Sequence, residues 1–381
     1  MKNQSKNIFI LFAILIICQV LSVINCHAQS AHYIRVAILQ DAVSLSLKIS
    51  GFCEVLDGDT NAVLYRGKNL KTTVTTYKGG ILMADKSLRT LRLLIKAENL
   101  KPIVINGRLF NGDINLIKKA NGSLLVINRL DLEDYVKGIL YHESSHYWPQ
   151  EALKAQAVVS RTYAVYQMQE NKLKDYDLTS DIYSQVYGGK TSERYRTNAA
   201  VDDTRAQVLA YNDKIIPAYF HATCGGHTED ASLLWNIDIV PLKGVICVFC
   251  KESPHFRWHN TLSLNEIEKN LTGAGYNINA IRNIRILGKD KSGRITDLSI
   301  VSDEKNIKIS AKDFRNIIGP NFIRSTNFQV TIAEADAVFE GLGWGHGVGL
   351  CQWGAYFMAK QGYTYKDILK YYYPNTGVAS I

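Results

Sequence analysis

The stretch DLEDYVKGILYHESSHYWPQEALKAQAVVSRTYA, residues 131–164, is where the chain changes its period. Apolar side chains at Leu132, Tyr135, Val136, Ile139 and Leu140 recur at the three- and four-residue spacing of a helix face. Asp131 stands just before them, where its carboxylate can accept from the free N–H groups of a first turn. Pro149 sits where a second helix would begin, because its fixed φ suits a first turn and its missing N–H is not needed there. That helix runs through Leu153, Ala157, Val158 and Ala164. Glu143 falls at the junction, among Tyr141, Tyr147 and Trp148. Partial burial beside aromatic rings would raise the pKa of its carboxyl, which suits a general acid. A glutamate near a helix end is more commonly a solvated surface group, so this segment by itself does not establish a function.

Upstream, residues 34–127 alternate apolar and polar side chains in short runs such as Arg35-Val36-Ala37-Ile38-Leu39 and Leu91-Arg92-Leu93-Leu94-Ile95, punctuated by turns at Asp57-Gly58-Asp59, Lys78-Gly79-Gly80 and Asn121-Gly122. Downstream, Ser263 with Glu266 three residues on can cap a short helix, and residues 284–309 form a hairpin pattern turning at Lys291-Ser292-Gly293. A glycine-rich loop, a helix near Cys351 to Lys360 stopped by Gly362, and a last helix opened by Thr364 close the chain. The expected fold class is α+β. Its portions are β-rich (32–127), helical (128–260), an inserted β-containing subdomain (261–330) and a C-terminal loop with helices (331–381) that completes a groove.

With 381 residues, 46% of them hydrophobic, the chain can bury one large core or two modest ones. A net charge of +9 favours an anionic partner such as an acidic polymer. No run of Lys and Arg interleaved with aromatics stands out, so nucleic acid is not expected. Lys2 and Lys6 precede an apolar run from Ile8 to Ile24, and Cys26-His27-Ala28 offers small residues where a signal peptidase cuts. Residues 1–28 therefore read as a signal peptide cleaved before Gln29, or as an uncleaved anchor. Both export the remainder, with membrane contact through this segment alone.

Three further segments carry polar groups in unusual settings. Residues 152–164, ALKAQAVVSRTYA, combine small residues with Gln156, Ser160 and Arg161. His221-Ala222-Thr223-Cys224-Gly225-Gly226-His227-Thr228-Glu229 is the second, and GLGWGHGVGLCQWGA, residues 341–355, is the third. Alternate glycines in the last let a ligand approach the backbone and present Trp344, His346 and Gln352. No Gly-Lys-Ser/Thr follows, which excludes a phosphate cradle. Together with QVYGG at Gln185 to Gly189 and the Glu143 segment, these ordered motifs resemble the SpoIID/LytB family over roughly residues 32 to 381. The resemblance implies a lytic transglycosylase acting on peptidoglycan glycan strands, some members preferring strands stripped of stem peptides by an amidase. It implies Glu143 as the catalytic residue, with Arg161, Gln185, Tyr187, His221, His346 and Gln352 lining the glycan groove. A non-catalytic stimulator of an amidase and a zinc hydrolase are the alternatives.

Five cysteines lie beyond residue 28, an odd number that complete pairing into disulfides cannot satisfy in a monomer. Cys247 and Cys250 have the spacing of half a zinc site, and Cys224 with His227 could supply the other half, with His221 as an alternative ligand. A disulfide is the competing reading in an oxidising compartment. A thiolate-rich set suits a structural zinc, bracing a loop and not required for chemistry. Cys53 and Cys351 are expected to be small buried hydrophobes.

Overall fold

A computed structural model describes residues 32–181 and 185–381; the expected export segment, residues 1–28, lies outside them. The alternating runs of the N-terminal portion fold as two sheets. Alternation directs every second side chain inward, so Ser44–Ile49 buries Leu45, Leu47 and Ile49 and exposes Ser44, Ser46 and Lys48. The larger sheet has the spatial order Leu178–Thr179, Tyr33–Ala42, Leu124–Asp131, Asp113–Lys118, Arg92–Ala97, Phe52–Asp57 and Val63–Lys68. The smaller runs Arg108–Phe110, Ile103–Ile105, Ser44–Ile49, Lys71–Tyr77, Gly80–Met83 and Lys86–Leu88.

Asp131, at the end of a central strand, turns the chain from sheet to helix. Its carboxylate accepts the Glu133 N–H at 2.9 Å and caps α1, Leu132–Glu143. Leu132, Tyr135, Val136, Ile139 and Leu140 join the inward faces of both sheets in one core. Helix α2, Gln150–Glu170, starts directly after Pro149. Its Leu153, Ala157 and Ala164 enter that first core, while Ala155, Val158 and Val159 enter a second one formed by the C-terminal part. A helix apolar on opposite sides must be buried, and its alanines let both layers approach closely. Helix α2 is thus the pillar shared by the two cores.

Helices α3 (Tyr195–Asp203) and α4 (Ala231–Trp235) follow. An excursion then begins at Arg257–Ser263, which pairs along its length with Asp336–Leu342, so the chain leaves and returns side by side. Within it, α5 (Leu264–Gly273) and α6 (Ala311–Ile318) cover the sheet Ile281–Lys289, Ile295–Ser302 and Asn306–Ser310 around a third core from Trp258 to Phe339. Ser263 caps α5 by accepting the Glu266 N–H, as its spacing suggests. The flanking strand pair makes this unit longer than its turn pattern suggested. Helices α7 (Gln352–Lys360) and α8 (Tyr365–Tyr372) complete the α+β fold, with Gly362 at φ +91° between them. No helix among the described residues is long and apolar enough to cross a membrane.

Candidate functional site

Glu143 is the last residue of α1 and stays partly accessible there. Burial of its carboxyl raises the pKa to about 7, against hydrogen bonds from the Val186 N–H and the Gln352 amide that pull it down. Gln352, the first residue of α7, donates its Nε2–H to the Glu143 carbonyl oxygen at 3.1 Å and to Gln156 Oε1 at 3.4 Å. The end of α1 and the start of α7 therefore meet at this glutamate. Beside it, the Ser144 hydroxyl is buried without a hydrogen-bond partner.

Several of the other residues expected to line a groove with Glu143 make buried contacts within the scaffold. Arg161 is 0% exposed and grips Glu133 with two bonds, Nε to Oε1 at 2.8 Å and an amino group to Oε2 at 2.7 Å. Further donors reach the Gln207 and Val201 carbonyls, so four of its five N–H groups are spent inside the protein. Gln185 accepts from the Tyr135 hydroxyl at 2.9 Å inside the core. Tyr187, 1% exposed, donates its hydroxyl to Asn128 at 2.8 Å and stacks near Phe110 and Tyr135. A polar residue inside a motif can be there because a buried partner needs it.

The glycine loop is shaped by left-handed residues at Gly343, Gly345, Gly347 and Gly349. A Cβ at Gly349 would collide with the Tyr219 carbonyl, and one at Gly345 with His221. His346 accepts the Val348 N–H on Nδ1 at 3.1 Å and bonds the Phe220 carbonyl, and burial with the charges of Arg315 and Arg294 lowers it to about 3. Its two ring nitrogens are spent on backbone, so it holds the loop. His221, 4% exposed, has Nδ1 3.1 Å from the Val348 carbonyl and Nε2 without a partner. Burial, followed by His346 and Arg294, keeps it well below the ordinary histidine range.

The aromatic rings expected beside Glu143 and on the glycine loop form a row in which His255 is the member that motif reading gave no role. Trp148 lies 5.2 Å from Trp353, Trp353 6.1 Å from His255, and His255 4.8 Å from Trp344, a row leading from the loop after α1 toward the excursion. On the other side Arg194 sits 4.4 Å over Tyr141, and Tyr147 is 80% exposed. Their only signal in sequence is the density of aromatics at 141–148, together with Trp344 and Trp353 of the glycine segment.

Behind the glycine loop, the thiols of Cys224, Cys247, Cys250 and Cys351 lie within 4.8 Å of one another, all buried. This corrects two expectations. His227 is not in the set, its Nδ1 lying 2.6 Å from the Thr228 carbonyl oxygen, and Cys351 is no mere hydrophobe but the fourth member. The pairing of Phe220–His221 with Leu350–Cys351 brings it in from a distance of over a hundred residues in sequence. All five described cysteines are free. Cys351 Sγ accepts the N–H groups of Cys224 (3.2 Å) and Gly354 (3.4 Å), and Cys247 Sγ lies 3.1 Å from the Tyr372 hydroxyl. Neighbouring thiols pull Cys247 down strongly, while burial pushes Cys224 and Cys351 up. Four soft donors this close could hold a metal ion, which would draw off the thiol protons.

Two sheets backed by a buried helix pair, with a desolvated carboxyl at the pair's open end, define an α+β protein whose candidate reactive group is a glutamate. The chain matches the family model described as stage II sporulation protein (SpoIID) over residues 120–211, and a domain of unknown function (DUF8618) over 248–349. It is 37% identical over 328 residues to an uncharacterized protein of Brachyspira hyodysenteriae, covering 85% of this chain and 83% of that one. It is 31% identical over 288 residues to stage II sporulation protein D of Bacillus subtilis, covering 70% and 78%. The amidase enhancer of Bacillus subtilis is 27% identical over 294 residues, or 64% of this chain and 40% of that protein. The chain belongs to the SpoIID/LytB family, and with it to a cell-wall-related role.

Proposed function

We propose that this protein is an exported lytic transglycosylase that cleaves the MurNAc–GlcNAc bonds of peptidoglycan strands, with Glu143 as acid and then base. The observation that carries the reading is the Glu143 carboxyl, held near pKa 7 at the rim of an aromatic-lined surface. Protonated, it gives its proton to the glycosidic oxygen as the bond from C1 breaks. The carboxylate so formed then takes the proton of the muramyl C6 hydroxyl as that oxygen closes on C1. The product is a 1,6-anhydro end, the acid is regenerated and no water is consumed. Ordinary glycosidases need a second carboxylate to attack or to activate water; this scheme needs one. Gln352, bonded to the Glu143 backbone, fixes where the acid points.

Incubation of the purified protein with intact and amidase-treated peptidoglycan, followed by mass spectrometry, tests this directly. Soluble fragments with 1,6-anhydromuramic ends are expected. Absence of fragments, with faster turnover of an added cell-wall amidase, would support the stimulator reading that the name of the amidase-enhancer relative raises.

The four-cysteine cluster fits a structural zinc, held by Cys224, Cys247, Cys250 and Cys351. Four thiolates in tetrahedral array form a closed site with no position left for substrate, which argues against a zinc hydrolase. The ion would tie the Cys-Gly-Gly turn to the start of α7, and so to Gln352. Protein purified without added metal is expected to contain one zinc per chain by elemental analysis. A value near zero, with a crosslinked Cys247–Cys250 peptide, would establish the disulfide instead. Residues 1–28 serve export in this reading, and a cell-wall amidase that strips stem peptides is the expected partner.

A further inference from the structure

The excursion meets the glycine loop through three arginines, each at a different loop residue. The Arg324 guanidinium lies 4.8 Å over the Trp344 ring, and its backbone carbonyl accepts the Gly345 N–H at 2.9 Å. Arg315, on α6, is the charge that acts most strongly on His346. Arg294, at the foot of the hairpin, packs so closely on Gly347 that a Cβ there would collide with its guanidinium.

Two of these charges, those of Arg315 and Arg324, lack counterions. Among the described residues no carboxylate pairs with Arg315 or Arg324, and burial together with Arg294 lowers Arg315 to about 10. Arg294 is 1% exposed; it donates to the His227 and Cys224 carbonyls and to Ser292 Oγ. Its nearby carboxyl is Glu229, raised to about 7 by burial and by Asp290 and drawn down by Arg294 itself. The Nε atoms of all three arginines and Nε2 of His221 are buried without a hydrogen-bond partner. Gathering like charges and orphaned donors in a desolvated place is costly unless an anion completes the set.

A guanidinium over an indole also matches a particular kind of anion. The ring offers a face to a sugar, and the planar donors take both oxygens of a carboxylate. The row Trp148, Trp353, His255 and Trp344 joins this place to the loop that follows Glu143. We propose that the excursion completes an anion subsite at Arg315 and Arg324, backed by the buried Arg294, that binds a carboxylate carried by the glycan strand. The carboxylate is either the free lactyl group of muramic acid or one on a stem peptide. The inference rests on the glycan reading of the surface but not on cleavage.

Calorimetry on Glu143→Gln protein, which separates binding from turnover, tests it with three soluble strands of equal length: N-acetylglucosamine oligomers, muramyl strands freed of peptide, and muramyl strands bearing peptide. Peptide-free muramyl strands are expected to bind at least about tenfold more tightly than the uncharged oligomer, with a preference that weakens as salt is raised. Arg315→Gln combined with Arg324→Gln removes that preference. Tighter binding of peptide-bearing strands, lost in the same variant, assigns the carboxylate to the stem peptide. Equal affinity of the parent for charged and uncharged strands, or a preference that survives the double substitution, overturns the subsite. Arg324→Gln alone, at a part-exposed position, decides the matter by the same comparison if the double variant does not fold.

Discussion

Helix α2 and the start of α7 both present polar side chains from an apolar frame, and the fold uses them in opposite ways. Arg161 on α2 is locked to Glu133 inside the protein, whereas Gln352 on α7 reaches the backbone of a partly accessible glutamate. The difference is one of position within a helix. Arg161 lies mid-helix, where two cores close around it; Glu143 lies at a helix end, where packing stops and solvent begins. Motif membership therefore does not distinguish reacting groups from bracing groups, and access does.

The largest effect expected from this contrast is at Glu143. Glu143→Gln should lower cleavage by about 10²–10⁴-fold, the usual contribution of general acid catalysis, with unchanged melting. Wild-type turnover in a folded variant would remove Glu143 from the mechanism. Arg161→Met should act on stability instead. Leaving the Glu133 carboxylate buried and unpaired costs about 3–5 kcal/mol, read as a lower melting midpoint and partly recovered by adding Glu133→Gln. A variant that melts normally but no longer binds glycan would return Arg161 to the groove.

A smaller, pH-dependent effect follows from the two carboxyls held near 7, Glu143 and Glu229. Both are raised above the ordinary value of 4.5, so the folded state keeps protons that the unfolded chain has already lost. Their contribution to stability is full below that value and disappears as pH rises through about 7. Melting temperature should fall across this window, and Glu229→Gln should flatten part of the fall. Cleavage, which needs protonated Glu143, should decline on the alkaline side of about pH 7. A melting profile flat from acid to neutral would contradict both. The smallest effect is expected at Tyr187→Phe, where Asn128 loses its buried donor at a cost of about 1–3 kcal/mol while cleavage persists.

Much of the scaffold was legible along the chain. The switch from two-residue to helical period at Asp131, the proline that opens α2, the Ser263 cap and the Thr364 box all appear where local chemistry put them. These are short-range effects, set by side chains within a turn of the backbone they satisfy. Glu143 stood out for a related reason, since a helix end beside aromatics is a local arrangement. The roles of Arg161, Gln185, Tyr187 and His346 were not legible, because each depends on a partner such as Glu133, Tyr135, Asn128 or Phe220 that spacing does not reveal.

The cysteines divide the same way. Cys247 and Cys250 announce themselves by being three residues apart, and the sequence by itself also determined that five thiols could not all pair. That the fourth member is Cys351 and not His227 was decided only in three dimensions, by the parallel pairing of Phe220–His221 with Leu350–Cys351. Sequence determines what a residue can do within its own turn or strand, because backbone geometry fixes those neighbours. Which side chains meet across more than a hundred residues depends on how sheets and helices pack. Here that packing alone brought Glu143 to Gln352, Cys224 to Cys351 and three arginines with partnerless Nε atoms to the glycine loop.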